Sequence, residues 1–393
     1  MTILAVGGGS GGHVTPALAV LTELNKHDRQ LKIYFVTDRK FFSQAKNIIS
    51  KTPGVRVRCR KIFAGKLRRY HNVSWFKQLL DIPTIGHNVI DLFLTAIGLV
   101  ESLVILLAVR PNVVFAKGGY VCLPMGLAAK LLRIPLVIHD SDAHPGLTSR
   151  MLSRYAKVIA TGSPTKNYPY PKEKTHYVGV PVDPTLVAVT AQERRELKLK
   201  FGFNNTSKPL LLVYGGGLGS RNINMAVVDV AAQMLEHVNI LHVTGNLNFE
   251  EVVEKAPDSQ DYVIKAFLPG MTAALQAADV VISRAGATAV AEQAALGKAS
   301  IVIPSPYLAG GHQLKNAKIL KRAEAAVVLQ EEAIIMNPKR LQRVVETLAA
   351  DPRLRKKIGD NLHKLSKPDA AVDMAALIVE VAVAAKTAKK TKP

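Results

Sequence analysis

Acidic residues and cysteine are scarce in this chain of 393 residues. Asp and Glu number 30 against 52 Lys and Arg, a formal net charge of +22, and the two cysteines are Cys59 and Cys122. Two cysteines exclude a disulfide scaffold and a cysteine-based zinc site, and they suit a reducing compartment. The excess of positive charge predicts a negatively charged partner: nucleic acid, an anionic membrane surface or phosphorylated substrates.

Aromatic residues are also few. They make up 6% of the chain, whereas charged residues make up 21% and hydrophobic residues 48%. A chain this apolar is not a disordered polycation, and its length suffices for two globular domains. A nucleic-acid binder would rest on charge alone, because no recognisable module with interleaved aromatics is present. We therefore expect no nucleic-acid partner.

The N-terminus lacks a basic region before its short apolar run, which favours a buried first strand over a signal peptide. A longer apolar run covers residues 89–109 and is interrupted by Asp91 and Glu101. Its length could span a bilayer, but Glu101 near its middle would cost roughly 2.5–3.5 kcal/mol there. We expect a helix that covers a sheet and has a membrane-facing side.

Short apolar strands alternate with longer helical stretches along the whole chain, which predicts an α/β fold with parallel sheets. The predicted strands cover residues 3–6, 32–36, 55–59, 112–115, 135–139, 158–160, 210–214, 240–243, 262–265, 280–283, 300–303 and 326–329. Helices are predicted over 16–26, 191–200, 224–236 and 287–296. The plan of strand, glycine turn and helix occurs at residue 3 and again at residue 210.

The alternation breaks in a stretch rich in Pro, Tyr and Lys, over residues 167–184. We predict an N-terminal domain over 1–180, a linker and domain start over 181–207, and a C-terminal domain over 208–366. An Ala- and Val-rich helix is predicted over 370–385 and is followed by a frayed basic tail over 386–393.

Five glycines fill residues 7–12 between the first strand and the first helix. The run satisfies G-x-G-x-x-G, and Asp38 follows the second strand, so a dinucleotide site with Asp38 on the ribose is one interpretation. A run this rich in glycine satisfies many patterns. His13 is the less expected residue, because on this turn a ring nitrogen could act as general base. A histidine that caps the turn is the alternative.

Two further turns suit a phosphate. Residues 214–222 join a strand to a helix through Gly215, Gly216 and Gly217, with Arg221 nearby. In residues 283–292, a helix N-terminus suited to a diphosphate precedes Glu292, whose carboxylate could accept both hydroxyls of a ribose. A surface or capping role is the alternative for Glu292. Gln313 and Asn316 share one helix face and suit sugar hydroxyls.

Four motifs in the right order resemble the MurG family, the bacterial transferases that add N-acetylglucosamine (GlcNAc) to the lipid-linked muramyl-pentapeptide precursor of peptidoglycan. They lie at residues 7–19, 118–121, 283–292 and 312–317. The resemblance implies a GT-B fold, in which two Rossmann-like domains with parallel sheets face a cleft. It places the acceptor on the N-terminal side and UDP-GlcNAc on the C-terminal side, and it implies that the final helix crosses back to the N-terminal domain.

The reaction implied by the resemblance is an inverting transfer from UDP-GlcNAc to the 4-hydroxyl of N-acetylmuramic acid in undecaprenyl-diphospho-muramyl-pentapeptide. This is the step from lipid I to lipid II, at the cytoplasmic face of the cell membrane. No metal or other cofactor is implied, since helix N-termini and glycine turns would stabilise the leaving group.

The resemblance also implies roles for individual residues. His13 would be the base that deprotonates the acceptor. Leu268 would contact uracil through backbone groups, and Glu292 would bind the ribose. The remaining donor contacts implied are Ser10, Gly11, Gly12 and Gly217, then Ala287, Thr288, Ala289, Val290 and Ala291 for the diphosphate, and Gln313 and Asn316 for the GlcNAc hydroxyls.

Three departures from the family pattern fall on donor contacts. The family's His-Glu-Gln-Asn is His139-Asp140-Ser141-Asp142 here, its Gly-Asn-Pro-Val-Arg ends in Asp183, and its Ser-Gln pair is Gly217-Leu218. Asp142 and Asp183 are therefore doubtful donor contacts, because an acid near a diphosphate is electrostatically unfavourable. The D-x-D pattern of residues 140–142, which can bind metal in another glycosyltransferase fold, is too short to predict a metal site.

A basic cluster indicates where a membrane would bind. Residues 1–110 hold 16 Lys and Arg against 6 Asp and Glu, a net +10. Next to the aromatic Trp75 and Phe76, such a cluster suits an anionic membrane surface, at about 1 kcal/mol for each basic residue. A solvated loop before a core helix is the alternative. The cluster comprises Arg56, Arg58, Arg60, Lys61, Lys66, Arg68 and Arg69.

Two other functions remain open at this point. A transferase of the same fold could act on another lipid acceptor, such as diacylglycerol. A nicotinamide-dependent dehydrogenase would explain the first glycine run and Asp38, but it would leave the second glycine turn and residues 283–292 unexplained.

Overall fold

The computed structural model describes residues 1–8, 11–50, 52, 54–66, 82–268, 270–307 and 311–390. They divide into two compact units. The first comprises the described residues of Met1–Val182, Tyr307–His312 and Lys367–Pro393, and the second those of Asp183–Pro306 and Gln313–Ser366. The prediction of a two-domain α/β protein with parallel sheets is confirmed.

The first unit is built on a parallel sheet. Within the described residues its strand order is β3-β2-β1-β4-β5-β6-β7. The strands are β1 Thr2–Gly7, β2 Lys32–Asp38, β3 Val57–Ile62, β4 Val113–Gly118, β5 Leu136–Asp140, β6 Val158–Thr161 and β7 Thr175–Tyr177. All six residues of β4 are buried, as expected for a central strand that is covered on both faces.

The second unit repeats the plan. Its described strands run in the order β10-β9-β8-β11-β12-β13 and are all parallel. They are β8 Leu210–Tyr214, β9 Asn239–Val243, β10 Tyr262–Lys265, β11 Val280–Ser283, β12 Ala299–Val302 and β13 Val327–Val328. In both sheets the strand order reverses once, between β1 and β4 and between β8 and β11. Open parallel sheets bind ligands at such a switch point, at the carboxyl ends of the strands.

Helices cover the sheets. In chain order they are α1 Gly11–His27, α2 Phe42–Ser50, α3 Ile82–Val109, α4 Cys122–Leu131, α5 Leu147–Leu152, α6 Ala191–Lys200, α7 Arg221–Val228, α8 Ala231–Met234, α9 Phe249–Lys255, α10 Thr272–Ala277, α11 Ala287–Ala295, α12 His312–Arg322, α13 Glu331–Met336, α14 Lys339–Ala350, α15 Pro352–His363 and α16 Ala370–Lys390. The last helix packs on α1, and Met374 and Ile378 are completely buried in the core of the first unit.

Four sequence predictions need correction. The first helix begins at Gly11 rather than near Pro16, so glycines that are poor helix formers start it. The single helix expected over 224–236 is two helices, α7 and α8, because the backbone of Val230 leaves the helical region. Strand β7 was not predicted, since it holds only three residues beside a stretch rich in Pro and Lys. The tail expected to fray over 386–393 is helical as far as Lys390.

Helix α3 carries the acids that interrupt its apolar run. The Glu101 carboxylate accepts a hydrogen bond from the Phe63 N–H at 2.6 Å and pairs with the Arg39 guanidinium at 2.7 Å. These contacts tie the helix to the segment after β3. Leu106 is buried against the sheet, whereas Leu92 and Phe93 are more than 60% exposed. The helix thus covers the sheet as expected, and its other side exposes apolar residues; that this side faces a membrane stays a prediction.

Candidate active site

The switch point of the first sheet places His13 beside a tight turn. His13 is the third residue of α1, and its half-buried ring packs on the backbone of Gly118 and Gly119 after β4. A Cβ atom on Gly118 would lie 2.9 Å from His13 Nδ1, and one on Gly119 would lie 2.2 Å from the Gly8 carbonyl oxygen. Both glycines have positive φ, at 125° and 89°, so only glycine fits this contact.

His13 is held in its neutral form. Burial first, and then the positive charge of Lys117, lower the pKa of the ring to about 4, against the opposing charge of Asp142. Nδ1 is buried, and among the described residues no group bonds to it. Nε2, the other ring nitrogen, is therefore the candidate for contact with a substrate. A neutral imidazole can accept a proton, which is the first requirement of a general base.

Lys117 belongs to a buried chain of hydrogen bonds that sequence reasoning missed. Its ammonium donates to Ser141 Oγ at 2.5 Å, and Ser141 Oγ lies 3.5 Å from His139 Nδ1. His139 Nε2 lies 2.7 Å from the Gly179 carbonyl oxygen, so Nε2 carries the proton and Nδ1 is the acceptor. Burial lowers the pKa of Lys117 to about 8. The ammonium therefore stays mostly charged at neutral pH.

The two acids beside Ser141 have different environments. Asp140 is buried and accepts a hydrogen bond from the Tyr170 hydroxyl at 2.8 Å, and burial raises its pKa to about 7. Asp142 is half-buried, and its main-chain oxygen accepts the Tyr168 hydroxyl at 2.6 Å. Among the described residues, no three His, Cys, Asp or Glu side chains are grouped to hold a metal ion.

Asp38 is hydrogen-bonded to neighbouring parts of the protein. It is almost fully buried, accepts the Phe41 N–H at 3.0 Å, and is also hydrogen-bonded to the Tyr120 hydroxyl. A Cβ atom on Gly8 would lie 2.7 Å from Asp38 Oδ2. The carboxylate thus holds the ends of β2 and β4 against the first glycine turn, which leaves it poorly suited to bind a ribose.

In the second unit, the turn from β11 into α11 presents a helix N-terminus. The N-cap of α11 is Gly286, which has no side chain to cap the helix. Gln293 lies further along the helix and donates to Tyr214 Oη and to Ser283 Oγ, both at 2.8 Å. These bonds fix α11 to β8 and β11. The amide groups at Ala287 and the following residues are positioned as an anion site requires.

Glu292 lies on α11 with an unusual charge state. Burial first, and then the negative charge of Asp183, raise the pKa of its carboxyl group to about 7. Asp183 itself accepts hydrogen bonds from the Thr185 N–H at 2.9 Å and the Thr185 hydroxyl at 2.7 Å. Asp183, an acid where the family has an arginine, therefore raises the pKa of Glu292, the residue predicted to bind the ribose.

Two of the other predicted donor contacts, Gln313 and Asn316, make hydrogen bonds to the main chain. The Gln313 side-chain oxygen accepts the Ser305 N–H at 2.9 Å, and the Asn316 amide donates to the Ala285 carbonyl oxygen at 2.9 Å. Leu268 is half-buried against the β8 face of the sheet. Gly217 is exposed, and a Cβ atom there would meet nothing within 4 Å. Ser10 lies outside the described residues.

Arg284 is a second residue whose role the sequence did not indicate. Its guanidinium donates to Ser220 Oγ at 2.7 Å and to the Ile303 carbonyl oxygen at 3.3 Å, and it pairs with the buried Glu331. It therefore fixes the second glycine turn to the β11 end. Arg221, which follows this turn in the chain, is paired with Glu251, with Nε–Oε2 at 2.8 Å.

Two doubly wound parallel sheets, each with glycine turns at its switch point, are the architecture of the GT-B fold. The chain belongs to glycosyltransferase family 28. The N-terminal domain of that family matches residues 3–161, and its C-terminal domain matches residues 210–374. The predicted family resemblance is confirmed.

Similar proteins match along the whole chain. A relative from Thermoanaerobacter sp. (strain X514) is 34% identical over 97% of this chain and 100% of its own length. One from Bacillus licheniformis is 32% identical over 94% and 96%. Both are named UDP-N-acetylglucosamine–N-acetylmuramyl-(pentapeptide) pyrophosphoryl-undecaprenol N-acetylglucosamine transferase. The crystal structure of Acinetobacter baumannii MurG superposes with a TM-score of 0.67 at 25% identity, over 96% of this chain and 99% of that one.

Proposed function

We propose that this protein transfers GlcNAc from UDP-GlcNAc to the 4-hydroxyl of N-acetylmuramic acid in a polyprenyl-diphosphate-linked muramyl-pentapeptide. The observation that carries the proposal is the neutral His13 ring, packed against Gly118 and Gly119 at the switch point of the first sheet. The full-length relatives named for this reaction support it.

His13 would act as general base. Its Nε2 takes the proton of the acceptor hydroxyl while that oxygen attacks the anomeric carbon of GlcNAc from the face opposite UDP. The bond from the anomeric carbon to the phosphate oxygen breaks, and UDP leaves with the electron pair, so the configuration inverts. Proton removal by a positioned group typically contributes 10²–10⁴-fold to such a rate.

In the second unit, the donor would be held at the start of α11. Within residues 287–291, the amides left free at the start of the helix would bind the diphosphate and stabilise the charge that develops on it, and Gly217 would approach the same ligand. Glu292 would accept the ribose hydroxyls, and Leu268 would contact uracil. Gln313 and Asn316 would contact the sugar hydroxyls.

The test uses purified protein, labelled UDP-GlcNAc and a lipid-linked muramyl-pentapeptide. Disaccharide product is expected from the wild type, and His13→Ala and His13→Gln should lower kcat by at least about 10²-fold. His27→Ala, at the exposed C-terminal end of the same helix, is the matched control. Absence of product from folded wild-type protein, or product only with diacylglycerol as acceptor, contradicts the proposal.

A lipid-linked acceptor lies in a membrane, and the exposed apolar side of α3 is suited to contact one. Among the described residues, Gly86–Val109 is long and apolar enough to cross a membrane, with a mean hydropathy of 2.5, but only 17% of that window is buried. Next to it, the edge strand β3 and its flanks expose basic side chains, namely Arg56, Arg58, Arg60, Lys61 and Lys66. Arg68, Arg69, Trp75 and Phe76 lie outside the described residues.

We propose that this apolar and basic surface binds the cytoplasmic face of the membrane peripherally. The Arg58→Glu/Arg60→Glu variant should lose most cosedimentation with phosphatidylglycerol vesicles, because each basic residue near anionic lipid contributes about 1 kcal/mol. Lys166→Glu/Lys172→Glu makes the same charge change at exposed positions before β7, the opposite sheet edge, and should bind normally. Equal loss in both variants would show that net charge alone matters.

A further inference from the structure

Three neighbouring strands of the first sheet bring three charged or titratable side chains to one edge. His13 follows β1, Lys117 lies near the end of β4, and Asp142 follows β5, and these strands pair as β1-β4-β5. A Cβ atom on Gly7, at the end of β1, would lie 3.5 Å from Lys117 Cβ. The Lys117 side chain thus starts next to the glycine turn that leads to His13.

Lys117 cannot move away from this position. It is 1% exposed, its ammonium is bound to Ser141 Oγ at 2.5 Å, and the chain of bonds continues through His139 to the Gly179 carbonyl oxygen. A cation fixed at this depth interacts strongly with neighbouring charges, because little water screens it. Asp142 is the residue after Ser141, with its main chain fixed by the Tyr168 hydroxyl.

We propose that Lys117 and Asp142 are an opposed charge pair that controls the protonation of His13. Lys117 is a positioning residue that, together with burial, disfavours the protonated ring, and Asp142 stabilises the imidazolium that forms when the ring takes the acceptor proton. The inference rests on His13 being the base of the proposed transfer. It also explains an acid at a position where the family has asparagine, since Lys117 compensates its charge.

The other titratable groups that face His13 do not supply this control. His139 is buried and neutral, because burial lowers its pKa well below the usual value. His312, in the same unit, also acts on His13, but a positive charge there would only add to the effect of Lys117. Among the groups that act on His13, Asp142 favours the protonated ring and Lys117 and burial oppose it.

The experiment measures the titration of His13 by NMR in protein labelled at histidine, with the signal identified by its loss in His13→Gln. Asp142→Asn should lower the titration midpoint and Lys117→Met should raise it, each by about one pH unit. The double variant should return close to the wild type. The control is Lys130→Met, which removes a lysine of α4 whose ammonium lies over the Tyr155 ring. It should not shift the midpoint.

Kinetics provide the second readout. Asp142→Asn should lower kcat with little change in KM, and the acidic limb of the pH profile should move with the NMR midpoint. If Lys117→Met does not fold, the isosteric Asp142→Asn still tests the pair. A midpoint unchanged in Asp142→Asn overturns the inference. If the wild type transfers no GlcNAc but the midpoints of the variants shift as expected, the proposed function is contradicted. The role of the charge pair in the titration of His13 would still stand.

Discussion

At the scale of single residues, Glu292 and Asp183 set a pH dependence on the donor side. In the proposed donor site the Glu292 carboxylate accepts two ribose hydroxyls and must be ionised to do so, yet its pKa is raised to about 7, by burial first and then by the charge of Asp183. A raised carboxyl pKa means that ionisation is unfavourable in the folded protein. This cost is absent below the ordinary pKa of 4.5 and grows as the pH rises towards 7.

Affinity for UDP should consequently fall as the pH drops below 7, by up to about tenfold between pH 8 and pH 6. Asp183→Asn keeps the acceptor for Thr185 but removes the charge, so the midpoint of this fall should move to lower pH. Isothermal titration calorimetry with UDP measures both curves. Asp258→Asn, an exposed acid of the same unit, is the control. Identical midpoints for wild type and Asp183→Asn would refute the role of Asp183.

At the scale of elements, α3 shows how an acid can lie in a helix of membrane-spanning length. Glu101 satisfies the Phe63 N–H and pairs with Arg39, so it holds the helix to the end of β3. The ion pair is partly exposed, at 43% and 26%, and adds little by itself. The bond to the main-chain N–H is the stronger contribution, because an unsatisfied buried donor costs about 1–3 kcal/mol.

Glu101→Leu should therefore make α3 more apolar and the protein less stable, by about 1–2 kcal/mol. Urea unfolding of the purified protein measures the loss. Val100→Leu, an apolar exchange at a 61% exposed position of the same helix, should stay within about 0.5 kcal/mol of the wild type. If both variants unfold at the same urea concentration, the Phe63 bond does not stabilise the helix.

At the scale of the whole molecule, the sequence predicted the architecture better than the contacts within it. Buried parallel strands such as β8 and β11 are continuous apolar runs, and their bounds were predicted correctly. Strand β7 has no such signal, because it is too short to bury a run of its own. The start of α1 at Gly11 depends on packing against β4, and helix propensity cannot predict it.

The same limit applies to the candidate site. Glycine runs and helix N-termini are local patterns, so the turns that position His13 and Glu292 could be read from the chain. Lys117 and Arg284 could not, because each contacts segments far away in the sequence: Ser141 for Lys117, and Ser220 and Glu331 for Arg284. The acids Asp142 and Asp183 were the available signal, since they stand where the family has an asparagine and an arginine.

The position of α16 has a consequence for how this chain is made. Met374, Ile378 and Ala382 are fully buried in the same core as Val14 and Leu21 of α1. A ribosome releases residues of α1 first and those of α16 last, with the entire second unit between them. The first unit, although most of it is translated earlier, must therefore keep an open apolar groove until α16 has emerged, after all residues of the second unit have been made.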